Sequence, residues 1–279
     1  MNGYDIRKLH IEPTELCQAM CPMCDRVTLD GELNPKVGNI SLSLTDVKGI
    51  FEKSFIEELN EMYMCGNLGD PMLAPDCIEI FKYFRECNPN IYLSMNTNGG
   101  AKKPEWWAEL ASVVNHVTFS IDGLEDTNHI YRKGVVWYNI MNNVRSFIDA
   151  GGKAKWDYLV FEHNEHQIKL AERLSQELGF MEFRPKTTNR YDKERPAWQT
   201  YWRGREQEVL KPPKQKEYQS EVVNNPYSSE ERRAFRILPK CVVNREIFIS
   251  ARGHVFPCCW AHTSSVSSQN ISMEERLDI

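Results

Sequence analysis

Three cysteines, Cys17, Cys21 and Cys24, stand in the stretch LCQAMCPMCDR at a C-x3-C-x2-C spacing. Thiolates packed this closely in a chain with no export signal are metal ligands rather than a disulfide framework. A closed zinc site needs four ligands, usually two short cysteine knuckles or Cys and His pairs. Here the histidines nearest in sequence are His10 and His116, and neither adjoins the cysteines. A cubane cluster in an electron carrier also takes four cysteines, often C-x2-C-x2-C with a remote fourth. The C-x3-C-x2-C run instead fits a cluster with three irons held by protein and one left open to a small molecule. A second group, Cys241, Cys258 and Cys259, lies near the C-terminus, and Cys65, Cys77 and Cys87 are scattered between.

The residues that must position these groups alternate in type. Lys8–Glu12, Glu61–Cys65, Asn90–Gly99, His116–Gly123, Lys153–Phe161 and Phe180–Pro185 read as strands, by alternation and by the turn residues that bound them. Ser43–Asn60, Pro75–Cys87, Pro104–Val113, Val135–Gly152 and His166–Gly179 read as helices, from capping residues, helical apolar spacing and terminal glycines. Strand–helix alternation implies a parallel sheet. Curled into a barrel or part-barrel, such a sheet gathers its chemistry at the C-terminal strand ends. The cysteine loop, CGNLGDP, NTNGG, Ser120 with Asp122, Glu162 with His163, and Arg184 all fall there. Glu162 and His163 read as solvated, and Cys77 and Cys87, on one helix, as small core residues.

CQAMCPMC resembles the signature of the radical SAM superfamily, and GNLGDPML, NTNG and FSIDG, in that order, resemble further segments of it. The resemblance covers about two-thirds of the chain. It implies an α/β fold, a partial (β/α)6 TIM barrel. It also implies that Cys17, Cys21 and Cys24 hold a 4Fe-4S cluster whose fourth iron is chelated by S-adenosylmethionine (SAM). Met23 stands where the family often has an aromatic residue, and a thioether can pack on an adenine face. By family position, the backbone of Gly66, Asn67, Gly69 and Asp70 receives the SAM amino group, Asn96 or Asn98 meets the ribose, and Ser120 meets the carboxylate or ribose. Asp70 replaces the family's glutamate. Cys65, at a strand end facing the site, is a candidate hydrogen donor. An electron donor such as flavodoxin or ferredoxin is implied as a partner.

Cys241 and Cys258 flank a C-x11-G-x4-C stretch, in which Glu246–Pro257 reads as a β-hairpin that brings its ends together. This resembles the opening of a SPASM/twitch extension, which implies an auxiliary iron–sulfur cluster on Cys241, Cys258 and Cys259; a structural zinc clip is the other reading. Ser272–Arg276 carries a capping-box pattern close to the last residue, so a truncated chain or a reduced twitch-like site is expected. The expected organisation is a barrel over 1–185, a charged connector over 186–240, and the cluster-binding extension over 241–279.

Composition narrows the class. The chain has 279 residues, 41% hydrophobic and 26% charged, with formal net charge −5. That describes a globular protein and weighs against a general nucleic-acid binder. Without an eighteen-residue apolar run or a signal peptide, a cytoplasmic protein without a membrane span is expected. Asn189–Lys216 is the exception, with eight Lys and Arg, four Asp and Glu, and interleaved Tyr191, Trp198, Tyr201 and Trp202. Such a segment could meet RNA or a nucleotide; a solvated connector packing a few aromatics is the favoured reading. The sequence thus supports a radical SAM enzyme acting on a peptide or protein side chain or a small molecule. RNA or nucleotide modification, and an iron–sulfur or zinc protein without SAM chemistry, are the alternatives.

Overall fold

A computed structural model describes residues 5–188, 190–191, 196–219 and 240–266. Strand β1 (Lys8–Ile11) leads into the long cysteine loop, which is braced by bridges from Thr14 to Ser41 and from Val27 to Leu33. Then come α1 (Leu44–Ile50), α2 (Lys53–Glu57), β2 (Glu61–Met64), α3 (Cys77–Cys87), β3 (Tyr92–Thr97), α4 (Pro104–Ala111) and β4 (His116–Ser120). The short α5 (Asn128–Tyr131) precedes α6 (Trp137–Asp149), β5 (Ala154–Leu159), α7 (Ile168–Leu178) and β6 (Glu182–Lys186). A separate hairpin, β7 (Trp198–Trp202) and β8 (Arg205–Leu210), follows. The last described elements are α8 (Lys240–Val243), β9 (Glu246–Ile249), β10 (Val255–Phe256) and α9 (Cys259–Val266).

The main sheet runs β10-β9-β1-β2-β3-β4-β5-β6, and every neighbouring pair is parallel except β9 with β10. It is the open, partial TIM barrel expected. A parallel sheet is covered on both faces, so Leu9, Ile11, Met62, Met64, Leu93, Val117 and Phe119 are all buried. Helix α3 turns Cys77, Ile78, Ile80, Phe81, Phe84 and Cys87 inward. Cys77 lies against the sulfurs of Met64 and Met95 at 3.8 and 4.0 Å, the core role read for it. Among the described residues no helix is long and apolar enough to cross a membrane.

Three features differ from the sequence reading. The single helix expected over Ser43–Asn60 breaks at Phe51, which is extended at φ −113°, ψ 114°. Gly49 weakens the helix there, and the break lets the buried Phe51 ring meet Phe55 at 5.6 Å and Phe84 at 5.9 Å. Within the charged connector, Trp198 and Thr200 are buried on one face of a true β-hairpin. Its turn is Arg203-Gly204, at φ 52° and 69°, the left-handed pair that matches strand twist. The C-terminal hairpin, in turn, joins the barrel sheet. β9 lies parallel to β1 in the register Lys8↔Glu246 to Ile11↔Ile249. Ser272–Arg276 falls outside the described residues.

Candidate functional site

Cys17, Cys21 and Cys24 line one cavity of about 460 Å³ at the C-terminal ends of the strands. Cys65, Gly66, Asn67, Gly69, Asp70, Asn96, Asn98, Ser120 and Cys259 line it too. Met23 does not; it is buried in the core. Cys241 and Cys258 are not on the lining, but their thiols hydrogen-bond each other beside it.

Each wall is held by specific bonds. The loop after β2 folds so tightly that a Cβ on Gly66 would meet the Gly69 carbonyl oxygen at 2.0 Å, and one on Gly69 would meet that of Thr14 at 1.9 Å. Only glycine allows that approach. The Asp70 carboxylate accepts from Asn98 N at 2.8 Å, Asn98 Nδ2 at 2.7 Å, Thr97 Oγ1 at 2.7 Å and Met72 N at 3.3 Å. It therefore fixes the end of β3. Asn98 relays this to the cysteine loop. Its Oδ1 accepts from Gln18 Nε2 at 2.6 Å, and its Nδ2 lies 3.7 Å from the Cys17 sulfur. Asn96 hydrogen-bonds the Cys65 thiol.

Two positioning groups carried no local signal. Glu12, fully buried at the end of β1, accepts from the backbone N–H of Leu68 at 2.6 Å and of Gly69 at 3.2 Å. Burial pushes its carboxyl up to about 7, against the pull of those N–H bonds. Arg132 donates from Nε to Asp122 Oδ2 at 2.6 Å and points Nη1 at the Cys21 sulfur, 3.9 Å away. An N–H donor set on a sulfur stabilises its thiolate.

The donor set suits an iron–sulfur cluster. Burial pushes the Cys21 thiol up to about 11 and raises Cys17 and Cys24 as well. Such thiols become thiolates when a metal cation offsets their burial. None of the nine cysteines is in a disulfide.

Other candidates are placed away from the cavity. Glu162 pairs with Lys214 at 2.5 Å and Lys211 at 3.7 Å, and His163 stacks on Phe161 at 5.3 Å. Arg184 pairs with Asp157 at 2.6 Å. Tyr191 and Trp198 are buried and Tyr201 and Trp202 half-buried, with Trp202 against Gly134. The aromatics of the basic segment thus pack on the protein.

Residues 11–174, more than half the chain, match the family model of the Radical SAM superfamily. No curated protein matches significantly. Among solved structures, Streptococcus suis SuiB bound to precursor peptide SuiA aligns with TM-score 0.62 and 15% identity, over 99% of this chain and 65% of that one. SuiB bound to S-adenosylmethionine gives TM-score 0.60 and 15% identity, over 90% and 60%. Native anSMEcpe with bound AdoMet gives 0.52 and 20%, over 67% and 54%. The chain therefore spans about 60% of SuiB, and at these identities the likeness speaks for the fold. With the family match over the cysteine loop and the barrel, the chain belongs to the radical SAM superfamily.

Proposed function

We propose that this protein cleaves S-adenosylmethionine reductively and abstracts hydrogen from a C–H bond of a peptide or protein side chain, or of a small molecule. The observation that carries the reading is the meeting of Cys17, Cys21 and Cys24 with the GNLGDP loop, Asn96, Asn98 and Ser120 around one cavity. Cys17, Cys21 and Cys24 would hold a 4Fe-4S cluster, which would supply the one-electron reduction that cleaves SAM.

The chain's own residues hold and orient. Gly66 and Gly69 bring backbone close to the cavity, where the SAM amino group would bind, and Glu12 fixes that loop from behind. Asn96 and Ser120 face the same space from β3 and β4, for the ribose and carboxylate. Asp70, its carboxylate occupied, sets Asn98 in place. Arg132 steadies the Cys21 sulfur.

A peptide or protein substrate is favoured because SuiB and anSMEcpe both have structures with bound peptides. An auxiliary cluster on Cys241, Cys258 and Cys259 would take up the product electron or anchor the substrate. Flavodoxin or ferredoxin would reduce the first cluster.

The test is 5′-deoxyadenosine release from anaerobically reconstituted protein given SAM and a strong reductant. Release by wild type that vanishes in Cys21→Ala supports the reading. Iron-loaded wild type that gives no release, and whose EPR signal SAM does not change, overturns it.

A further inference from the structure

Cys65 is the one cavity cysteine outside the C-x3-C-x2-C run and the C-terminal group. It directly follows β2, and period two puts it on the same face as Tyr63. From that face the Tyr63 ring reaches the C-terminal elements, while the Cys65 thiol hydrogen-bonds Asn96. Tyr63 Oη donates to Glu246 Oε1 on β9 at 2.7 Å, and it lies within electrostatic reach of both Cys65 and Cys259. The Asn67 side chain, two residues beyond Cys65, donates from Nδ2 to the Cys259 carbonyl at 3.1 Å. Cys65 itself is anchored, since its carbonyl accepts from His10 Nε2 at 2.7 Å and its N–H donates to Ile11 O at 3.2 Å. Across the gap, Cys241 and Cys258 share a hydrogen bond, and Cys259 lies within electrostatic reach of Cys258, Cys241 and Cys65 together. Cys65 and Cys259 line the same cavity.

Resting on the auxiliary-cluster reading above, we infer that Cys65 is the fourth ligand of that cluster, completing a tetrathiolate with Cys241, Cys258 and Cys259. One ligand then comes from the barrel and three from the elements around β9 and β10. Among the described residues no group of three or more His, Cys, Asp or Glu side chains is close enough to hold a single metal ion. Ligands of a four-iron cubane stand further apart than ligands of one ion, and the metal that reconstitution places there tells a cluster from a zinc clip.

Two consequences follow. With four thiolates the auxiliary cluster has no open iron, so it serves electron transfer and not direct ligation of substrate. Cys65 is also withdrawn from hydrogen donation, the role its place at a strand end suggested. Assembly is balanced simply: each thiol loses its proton to solvent as its sulfur bonds iron, and iron and sulfide come from the reconstitution mixture. The contrast is Cys77, whose sulfur meets only the core sulfurs of Met64 and Met95 in the bonds it makes.

The test uses the full chain with Cys17, Cys21 and Cys24 all replaced by Ala, so that the first site carries nothing. After anaerobic reconstitution this background is expected to hold about four iron and four sulfide per chain, with the EPR signal of a reduced cubane. Adding Cys65→Ala should remove at least one iron and change or abolish the signal. Adding Cys65→Ser, where an alkoxide can stand in for the thiolate, should keep iron but shift the EPR signal and the reduction potential. Adding Cys77→Ala should change neither, with thermal melting as the check that each variant folds. Full iron and an unchanged spectrum in both Cys65 variants would overturn this inference alone. A background chain that takes up zinc or no metal would overturn the auxiliary-cluster reading, and this inference with it.

Discussion

Replacing Arg252 by Ala should loosen the cysteine loop from a distance. Arg252 sits in the turn between β9 and β10, and it reaches Glu15, two residues before Cys17. Its Nε donates to Glu15 Oε1 at 2.7 Å and its Nη2 to Oε2 at 3.1 Å, a bidentate pair, and Nη2 also donates to Lys36 O at 2.9 Å. The Glu15 side chain is 0% exposed and that of Arg252 35%. An exposed pair is worth about 0.2–1 kcal/mol, and breaking a fully buried one costs about 3–5 kcal/mol. Here the carboxylate is buried but the guanidinium partly wet, and Gly38 N still donates to Oε2 at 2.6 Å after the change. The expected cost is therefore about 2–3 kcal/mol. For a chain of this size that lowers the melting temperature by about 5–10 °C. Most of the cost is an unpaired buried charge, so adding Glu15→Gln should restore about half of it. Circular dichroism melts of the reduced, metal-free protein read this directly, and iron retained per chain reads the effect on the loop. A melt within about 1 °C of wild type, or no recovery in the double variant, would refute the clamp.

Gly69→Ala forces a Cβ to within 1.9 Å of the Thr14 carbonyl oxygen, so the backbone must shift; a strain of about 1–3 kcal/mol should weaken SAM binding about 5- to 150-fold by titration calorimetry of the reconstituted protein, and an unchanged Kd would count against the cradle. Glu12 is raised to about 7 in the folded chain by burial, so the stability it lends is whole below pH 4.5 and is lost as pH rises through 7, by up to about 3 kcal/mol. Urea midpoints at pH 5 and pH 8 should therefore diverge more in wild type than in Glu12→Gln; parallel pH dependence in the two would refute the assignment.

What the sequence disclosed, and what it withheld, divides by range. The cysteine spacing, the glycines at 66 and 69 and the six strand segments are local patterns, because ligand spacing, close backbone approach and strand periodicity are each set within a few residues. Glu12 and Arg132 gave no such signal. A buried carboxylate holding two N–H groups looks, in sequence, like any glutamate at a strand end, and its role is fixed by β2 folding back beside β1. The hairpin β7–β8 was hidden for another reason. β7 carries no charge, β8 exposes Arg205, Glu206 and Glu208, and the buried Trp198 and Thr200 are too few to stand out against the basic residues around them.

The pairing of β9 with β1 lies furthest from sequence reach, and it changes how the two cysteine groups relate. Glu246–Pro257 is legible as a hairpin because its turn and both strands lie within twelve residues. Its parallel docking on Lys8–Ile11 rests on contacts such as Arg252 to Glu15, 237 residues apart, and parallel pairing carries no turn or register signature in the chain. Once β9 is in place, β1 stands between β2 and β9, so loops that follow β1 and β2 face residues brought in by β10 and α9. His262 on α9 comes within 3.6 Å of Glu12 Oε2, while Oε1 of the same carboxylate holds the glycine loop. The C-terminal cysteines thus share their footing with the loop that would receive SAM. A change at either group should be felt at the other through Glu12, which is why cluster content and SAM affinity belong in the same experiment on any variant of this carboxylate.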